Sequence, residues 1–264
     1  MTANDPDMLA TLDAVARQLA TARRALFITG AGLSADSGLP TYRGVGGIYD
    51  DGVTEEGIPF EVALSGDMFQ RNPELTWKHI ARIESATRGA CCNRGHEVLA
   101  ALEERLEYGC VLTQNVDGFH HQAGSHNVIE IHGNVHRLHC TECGRVKDVD
   151  DFAGLTVPPR CIRCAGLLRP DVVLFGEMLP FAALDRLTEA SVEGFDIVFS
   201  IGTTGVFPYI TEPLLAAGRQ GATTVEINPS ETEVSSVVDY RLPDRAAPVL
   251  AALWERFESA HGHG

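Results

Sequence analysis

An α/β chain built on a doubly wound parallel sheet, with a smaller second module, is predicted by three observations. Short apolar runs recur along the sequence, and most close on polar or glycine-rich residues rather than on a tight hairpin. Helix-patterned segments lie between them. Two stretches, 45–90 and 139–167, interrupt the alternation, and the second carries two CxxC pairs. Parallel strands joined by helices bind ligands beyond the carboxyl ends of the strands, so the chemistry is expected there.

Taken in order, the first helix is expected from Asp7 to about Ala22, where Met8, Leu12, Val15 and Leu19 recur at intervals of 4, 3 and 4 and share one face. "ALFITG" reads as a buried strand and leads into "TGAGLSADSGLPTYRG", residues 29–44. Residues 45–90, with Gly46, Gly47, Gly52, Gly57 and Gly66, read as part loop and part helix. "HEVLAALEERLEYG" reads as a helix stopped by its glycine, and "CVLTQN" and "NVIEIHG" read as strands. Beyond the cysteines, "DVVLFGE", "FDIVFSIG" and "TTVEINP" read as strands and "PFAALDRLTEASVEG" and "ITEPLLAAGRQG" as helices. A last helix carries Leu250, Leu253, Trp254 and Phe257. The main domain is therefore assigned to 1–44, 91–138 and 168–264, and the smaller one to a loop and helical lobe at 45–90 plus a cysteine ribbon at 139–167.

The 264 residues carry a formal charge of −15. That balance disfavours a general nucleic-acid or anionic-membrane surface and is compatible with a lysine-rich protein segment as partner. The first 24 residues mix acids with apolar side chains, unlike a secretory signal, and no window is apolar for long enough to span a bilayer. Seven cysteines, four of them in CxxC pairs, favour metal ligation in a reducing cytoplasm over a disulfide framework.

In the first motif, Gly30 and Gly32 leave backbone bare enough for N–H groups to approach a pyrophosphate at a helix start. The spacing departs from GxGxxG, and a plain strand-to-helix turn uses glycine in the same way. Asp36, Tyr42 and Arg43 add a carboxylate, a ring and a guanidinium, suited to a charged, ring-bearing ligand or, alternatively, to a surface ion pair beside a core tyrosine. Gln114, Asn115 and Asp117 cluster at another strand end, where an Asx-turn is the alternative. His132 ends a further strand and is a candidate general base, with a structural histidine as the alternative, and Gly133 gives clearance. Cys140 and Cys143 are separated from Cys161 and Cys164 by 17 residues, the spacing of a closed, structural tetrahedral zinc site, with a redox pair or iron as the alternative. Cys91, Cys92 and Cys110 have no such partners and read as ordinary thiols.

Taken together, "GAGLSADSGLPTYRG", "TQNVDGFH", "IHGN", the paired cysteines, "RPDVVLFGE", "GTTGVFP" and "EINPSETEV" resemble, in order, the motifs of the sirtuin family of NAD-dependent protein-lysine deacylases. The resemblance runs from about Ala25 to about Leu253. It implies a Rossmann-like domain beside a zinc-ribbon and helical domain, with NAD and an acyl-lysine peptide or protein meeting in the cleft between them. By the same resemblance Gly30, Ala31 and Gly32 cradle the pyrophosphate, and Asp36, Tyr42 and Arg43 lie near the nicotinamide ribose on a loop that orders over NAD. Asn115 and Asp117 position ribose and nicotinamide, with Gln114 beside them. Gly202, Thr203 and Thr204 serve the adenosine side, and Asn228 the adenine ribose. Val172, Val173, Phe175, Gly176 and Glu177 match the strand that pairs with an extended peptide. The implied reaction has the acyl oxygen attack C1′ of the nicotinamide ribose as nicotinamide leaves. His132 then activates a ribose hydroxyl, and lysine and O-acyl-ADP-ribose are released. Zn²⁺ in the ribbon is structural.

Three departures stand out. Tyr42 replaces a common phenylalanine, "GTTGVFPY" is one residue shorter than the usual loop, and the tyrosine–arginine pair of members that take acidic acyl groups is absent. His79 and Arg82 occupy that interval in "WKHIARIE", so Arg82 is a candidate partner for an acyl carboxylate, or one charge on a solvated helix face. Acetyl is the expected acyl group. ADP-ribosyl transfer or NAD hydrolysis at the same site, and NAD sensing without turnover, are the competing functions, and a pure sensor would need no base.

Overall fold

A computed structural model describes residues 6–40 and 52–261. Helix α1 (Pro6–Thr21) precedes β1 (Arg24–Thr29) and the short α2 (Ala31–Ala35). Helices α3 (Phe60–Ala63), α4 (Gly66–Arg71) and α5 (Pro73–Thr87) follow, then α6 (Arg94–Arg105), β2 (Tyr108–Thr113), α7 (Phe119–Gln122) and β3 (Val128–Glu130). Strands β4 (Gly133–Cys140), β5 (Val146–Asp148) and β6 (Leu168–Val172) come next. The chain continues through α8 (Phe181–Val192), β7 (Ile197–Ile201), α9 (Pro208–Arg219), β8 (Thr223–Ile227), β9 (Tyr240–Leu242) and α10 (Ala246–His261).

Six strands form a parallel sheet in the order β3-β2-β1-β7-β8-β9. Alternate side chains leave opposite faces of a strand, and β1 uses both. Phe27 packs with Leu12, Leu99 and Leu253 of α1, α6 and α10, whereas Leu26 and Ile28 pack with Leu187, Ile210 and Leu214 of α8 and α9. A sheet buried on both faces needs continuous apolar runs, and that is why "ALFIT" and "IVFSI" carry them. The strand order reverses between β1 and β7, so a crevice opens where their carboxyl ends diverge.

The second unit is a three-stranded antiparallel sheet, β5-β4-β6, packed against α4 and α5. One apolar cluster joins Phe69, Trp77 and Ile80 of the helices to Leu138, Phe152 and Leu168 of the ribbon, whose sheet runs past the expected 139–167 at both ends because β4 and β6 belong to it. The Trp77 indole N–H donates to the Leu168 carbonyl at 2.9 Å, which lets the ring be fully buried. Helix starts are capped locally: Ser65 Oγ accepts from the Met68 amide at 3.0 Å, and Asn72 Oδ1 accepts from the Leu75 amide at 3.2 Å with Pro73 behind it.

Three elements differ from expectation. "NVIEIHG" is not one strand: β3 ends at Glu130 and β4 starts at Gly133, whose φ of +81° lets the chain turn, and a Cβ there would lie 1.9 Å from the Asp171 carbonyl oxygen. "DVVLFGE" is strand only as far as Val172, because Leu174 and Glu177 close a turn through two hydrogen bonds, Glu177 N to Leu174 O at 3.0 Å and Leu174 N to Glu177 Oε2 at 2.9 Å. Strand β9 comes from "YRL", too short for its alternation to be read.

Candidate active site at the carboxyl edge of the sheet

The glycines of the first motif are required by the other side of the crevice. A Cβ on Gly30 would lie 2.8 Å from Gly202 O, and one on Gly32 would lie 2.7 Å from Gly202 Cα. Gly202 itself has φ +59°, and a Cβ there would lie 2.5 Å from the Leu33 amide nitrogen. The loops after β1 and β7 thus touch backbone to backbone. The Gly30 and Gly32 amides donate to Ile201 O at 3.0 Å and Gly202 O at 2.8 Å. Within the cradle expected at 30–32, these two N–H groups hold the loops together. Ala31 lines the adjoining cleft.

That cleft has a volume of about 390 Å³, and Ser34, Asn115 and Asp117 contribute to its wall. Asn115 is buried, and its Nδ2 donates to Gly30 O and Ser34 Oγ, both at 3.0 Å. Ser34 Oγ in turn donates to Asp117 Oδ2 at 2.7 Å, while Asp117 Oδ1 accepts from the Phe119 amide at 3.0 Å. Burial pushes the Asp117 carboxyl above its ordinary range, opposed by the Phe119 amide and the Ser34 hydroxyl. Ser34 has no signal in the sequence beyond its hydroxyl in "GLSADSG", and its role shows only in this geometry.

Gln114 faces the other way from Asn115. Its Nε2 donates to Thr203 Oγ1 at 2.7 Å, and its carbonyl oxygen lies 3.0 Å from His132 Nδ1. Thr203 O accepts from Asn228 Nδ2 at 3.0 Å, and Asn228 Oδ1 accepts from the Ser230 amide. Thr204 is exposed, and its carbonyl accepts from the Glu233 amide. His132, Gln114, Thr203 and Asn228 therefore form one connected group, and Asn115, Ser34 and Asp117 a second; consecutive residues of one strand end belong to each. Burial lowers the His132 pKa, with the Gln114 carbonyl opposing, so the ring is neutral near pH 7.

Other expected site residues lie elsewhere. Asp36 does not face the cleft: its carboxylate accepts from Arg245 Nε at 2.6 Å and from the Ala247 amide at 2.7 Å, tying α2 to the first turn of α10. Tyr42 and Arg43 lie outside the described residues. Val172 pairs with Gly133 at the end of β6, and the Val173 and Phe175 amides donate to His132 O and Leu64 O. Gly176 has φ +81° within the turn. The Glu177 carboxylate is held by Arg169 at 2.7 and 2.9 Å. Burial raises the Glu177 pKa, but Arg169 and the Leu174 amide outweigh it and hold the group below its ordinary range. Residues 173–177, expected as part of the peptide-pairing strand, form a braced turn beside His132.

Arg82 does not reach the cleft either. It extends into solvent and binds Glu55 at 2.5 Å, while buried His79 sits 3.1 Å from Glu56. Ile83, one residue on, faces the cleft instead, because a single residue step along a helix turns the side chain by about 100°.

Cys140, Cys143, Cys161 and Cys164 bring their sulfurs within 4.8 Å of one another. Cys140 and Cys164 Sγ lie 3.5 Å apart and Cys143 and Cys161 Sγ 3.8 Å apart, near the edge of about 3.8 Å expected for a tetrahedron with Zn–S of about 2.3 Å. The donor set fits structural Zn²⁺, far from the crevice in function because all four positions are protein ligands.

A sequence profile described as the Sir2 family matches residues 30–208. The chain is 49% identical over 239 residues to the NAD-dependent protein deacylase 2 of Pseudomonas aeruginosa, covering 89% of this chain and 93% of that one. It is 51% identical over 242 residues to the NAD-dependent protein deacylase 2 of Pseudomonas syringae pv. tomato, covering 90% and 97%. Among solved structures, a Sir2 homolog–NAD complex superposes with a TM-score of 0.84 at 34% identity, covering 94% of each chain. A Sir2–p53 peptide–NAD⁺ complex superposes with a TM-score of 0.78 at 29% identity, covering 95% and 98%. With its two loops locked through Gly202, its paired polar groups at one strand end and its four-cysteine ribbon, this chain belongs to the Sir2 family.

Proposed function

We propose that this protein is an NAD-dependent protein-lysine deacylase that takes an acyl group, acetyl foremost, from a lysine nitrogen and delivers it to ADP-ribose. The observation that carries this reading is the orientation of His132. A carbonyl oxygen only accepts hydrogen bonds, so the contact with Gln114 places the proton on Nδ1 and leaves the Nε2 lone pair as the base. NAD, when bound, supplies a ribose carbon that becomes electrophilic as nicotinamide departs.

The chain's own residues do the rest. The Asn115–Ser34–Asp117 group is preorganised, with Ser34 and Asn115 buried and Asp117 half-buried at the cleft, so it orients a polar ring with little reorganisation. His132 accepts a proton at Nε2 from a ribose hydroxyl, which makes that oxygen the nucleophile that carries the acyl group onward. Bare backbone at Gly202 and Gly32 lets the loops after β1 and β7 meet, which fixes the floor of the crevice. With its guanidinium engaged by Glu55, Arg82 is not free to meet an acyl carboxylate, which supports acetyl over a succinyl or malonyl group. Lysine-bearing proteins suit the acidic surface as substrates, and a four-thiolate site suits the cytoplasm, which fractionation of the native host checks.

The test is incubation with NAD and acetyl-, propionyl-, butyryl- and succinyl-lysine peptides, with products followed by mass spectrometry. Deacylated peptide and O-acyl-ADP-ribose in equal amounts, strongest with acetyl, are expected. Nicotinamide release at the same rate without peptide would move the reading to NAD hydrolysis.

A further inference from the structure

His132 has a second partner that no motif announces. Its Nε2 lies 2.8 Å from the hydroxyl of Tyr209, the second residue of α9. Because Nδ1 carries the proton for Gln114, Nε2 is the acceptor and the phenol donates. A neutral imidazole has one such lone pair. It therefore cannot accept from Tyr209 and from a ribose hydroxyl at once.

The tyrosine is held in place from two sides. Its ring stacks on Phe207 at 5.3 Å and 15°, and Pro208 between them sets the backbone angle at the first position of α9. The His132 ring meets both aromatic rings edge-on, at 6.3 Å from Phe207 and 5.9 Å from Tyr209. Phe207 and Tyr209 lie two and four residues past Gly205, in the segment whose Thr203 receives the Gln114 side chain. One short segment thus holds both the Gln114 side chain and the His132 ring.

From this geometry we infer that Tyr209 is a positioning residue that latches His132 in the free enzyme, donating its hydroxyl to Nε2 until a ribose hydroxyl displaces it. The latch holds the base in the working tautomer and ring orientation while the cleft is empty. Its release costs part of the affinity for the ribose-bearing ligand. The inference rests on the deacylase reading for the role of the ribose hydroxyl, while the latch itself can be read by binding alone. Among the described residues, the groups bonded to or stacked on the His132 ring are Gln114, Tyr209 and Phe207, and Tyr209 is the titratable one.

The experiment compares wild type with Tyr209→Phe, which keeps the ring stacked and removes the hydroxyl. Calorimetry with ADP-ribose is expected to show roughly 3- to 10-fold tighter binding in the variant, the range of one net hydrogen bond. The acid limb of kcat/KM for NAD, which reports the enzyme before NAD binds, is expected to move up by roughly half to one pH unit, since the neutral ring has lost a donor. The acid limb of kcat, which reports the loaded enzyme with the latch already open, should stay where it is. Unchanged ADP-ribose affinity together with an unmoved kcat/KM limb overturns the latch, as does a kcat reduced more than tenfold, which would make the hydroxyl part of turnover. Tighter ADP-ribose binding with no deacylated peptide from either protein upholds the latch and overturns the deacylase reading alone.

Discussion

The Gln114 carbonyl oxygen and His132 Nδ1 stand 3.0 Å apart, and this contact decides which nitrogen of the ring is the base. Burial lowers the His132 pKa, so the neutral form persists below the ordinary histidine range. Deacetylation in wild type is therefore expected at full rate at pH 7, falling only as the pH drops through a limb below about 6.5. His132→Ala should reduce O-acetyl-ADP-ribose formation by about 10²- to 10⁴-fold. Rates across pH 5 to 8 check the first point and product analysis the second.

Asp117→Ala is expected to cost both stability and NAD use. It leaves the Ser34 hydroxyl and the Phe119 amide without acceptors in a buried place, at about 1–3 kcal/mol each. A lowered urea midpoint and a drop in kcat/KM for NAD of at least tenfold should appear together. Asp117→Asn, which keeps an acceptor oxygen, should lose less stability than the alanine variant.

Metal removal has a built-in reporter. Trp77 is fully buried in the apolar cluster that also holds Cys140 and Cys161, and its indole is tied to Leu168. The purified protein should contain one zinc per chain by emission spectroscopy. Chelation or Cys143→Ser should red-shift tryptophan fluorescence as the ribbon loosens. Zinc loss without any change in fluorescence would separate the metal from that core.

Acid should weaken the main domain through two histidines. Burial lowers the His96 pKa to about 4 and the His120 pKa well below its ordinary value, and His96 Nε2 and His120 Nδ1 have no partner among the described residues. With folded values below the unfolded value near 6.5, the unfolded chain takes protons first. The stability contribution is whole above about pH 6.5 and is lost as the pH falls toward 4. For His96 the loss between pH 7 and 5 is about 2 kcal/mol. Urea unfolding at the two pH values checks this, and His96→Phe, which keeps a ring against Phe119, should flatten the difference.

Arg82→Ala should leave the order of acyl preference unchanged, because that guanidinium is exposed and bound to Glu55. Ile83→Arg should instead raise succinyl-lysine turnover relative to acetyl, since residue 83 faces the cleft. A peptide panel run on both variants decides; a succinyl activity that depends on Arg82 would place the acyl end on the outer face of α5.

The doubly wound sheet, the cysteine quartet and the strand end that Asn115 and Asp117 follow were legible in the sequence. Each is a local pattern: apolar period, glycine stop, CxxC spacing. Such patterns depend on near neighbours along the chain, and those are what a sequence displays. What tertiary structure alone decided is the partner of each polar group. Asp36 reads like a ligand residue beside the first motif, yet its carboxylate serves Arg245 and Ala247 from the far end of the chain. Gly30 and Gly32 read as ligand clearance, yet Gly202 occupies it. Arg82 and Ile83 differ by one position, and only the packed direction of α5 says which faces the cleft. Tyr209 lies 77 residues from His132 with no pattern linking them. Side-chain hydrogen bonds form between groups brought together by chain folding, and their geometry is set by the packing of whole elements, which no local spacing records.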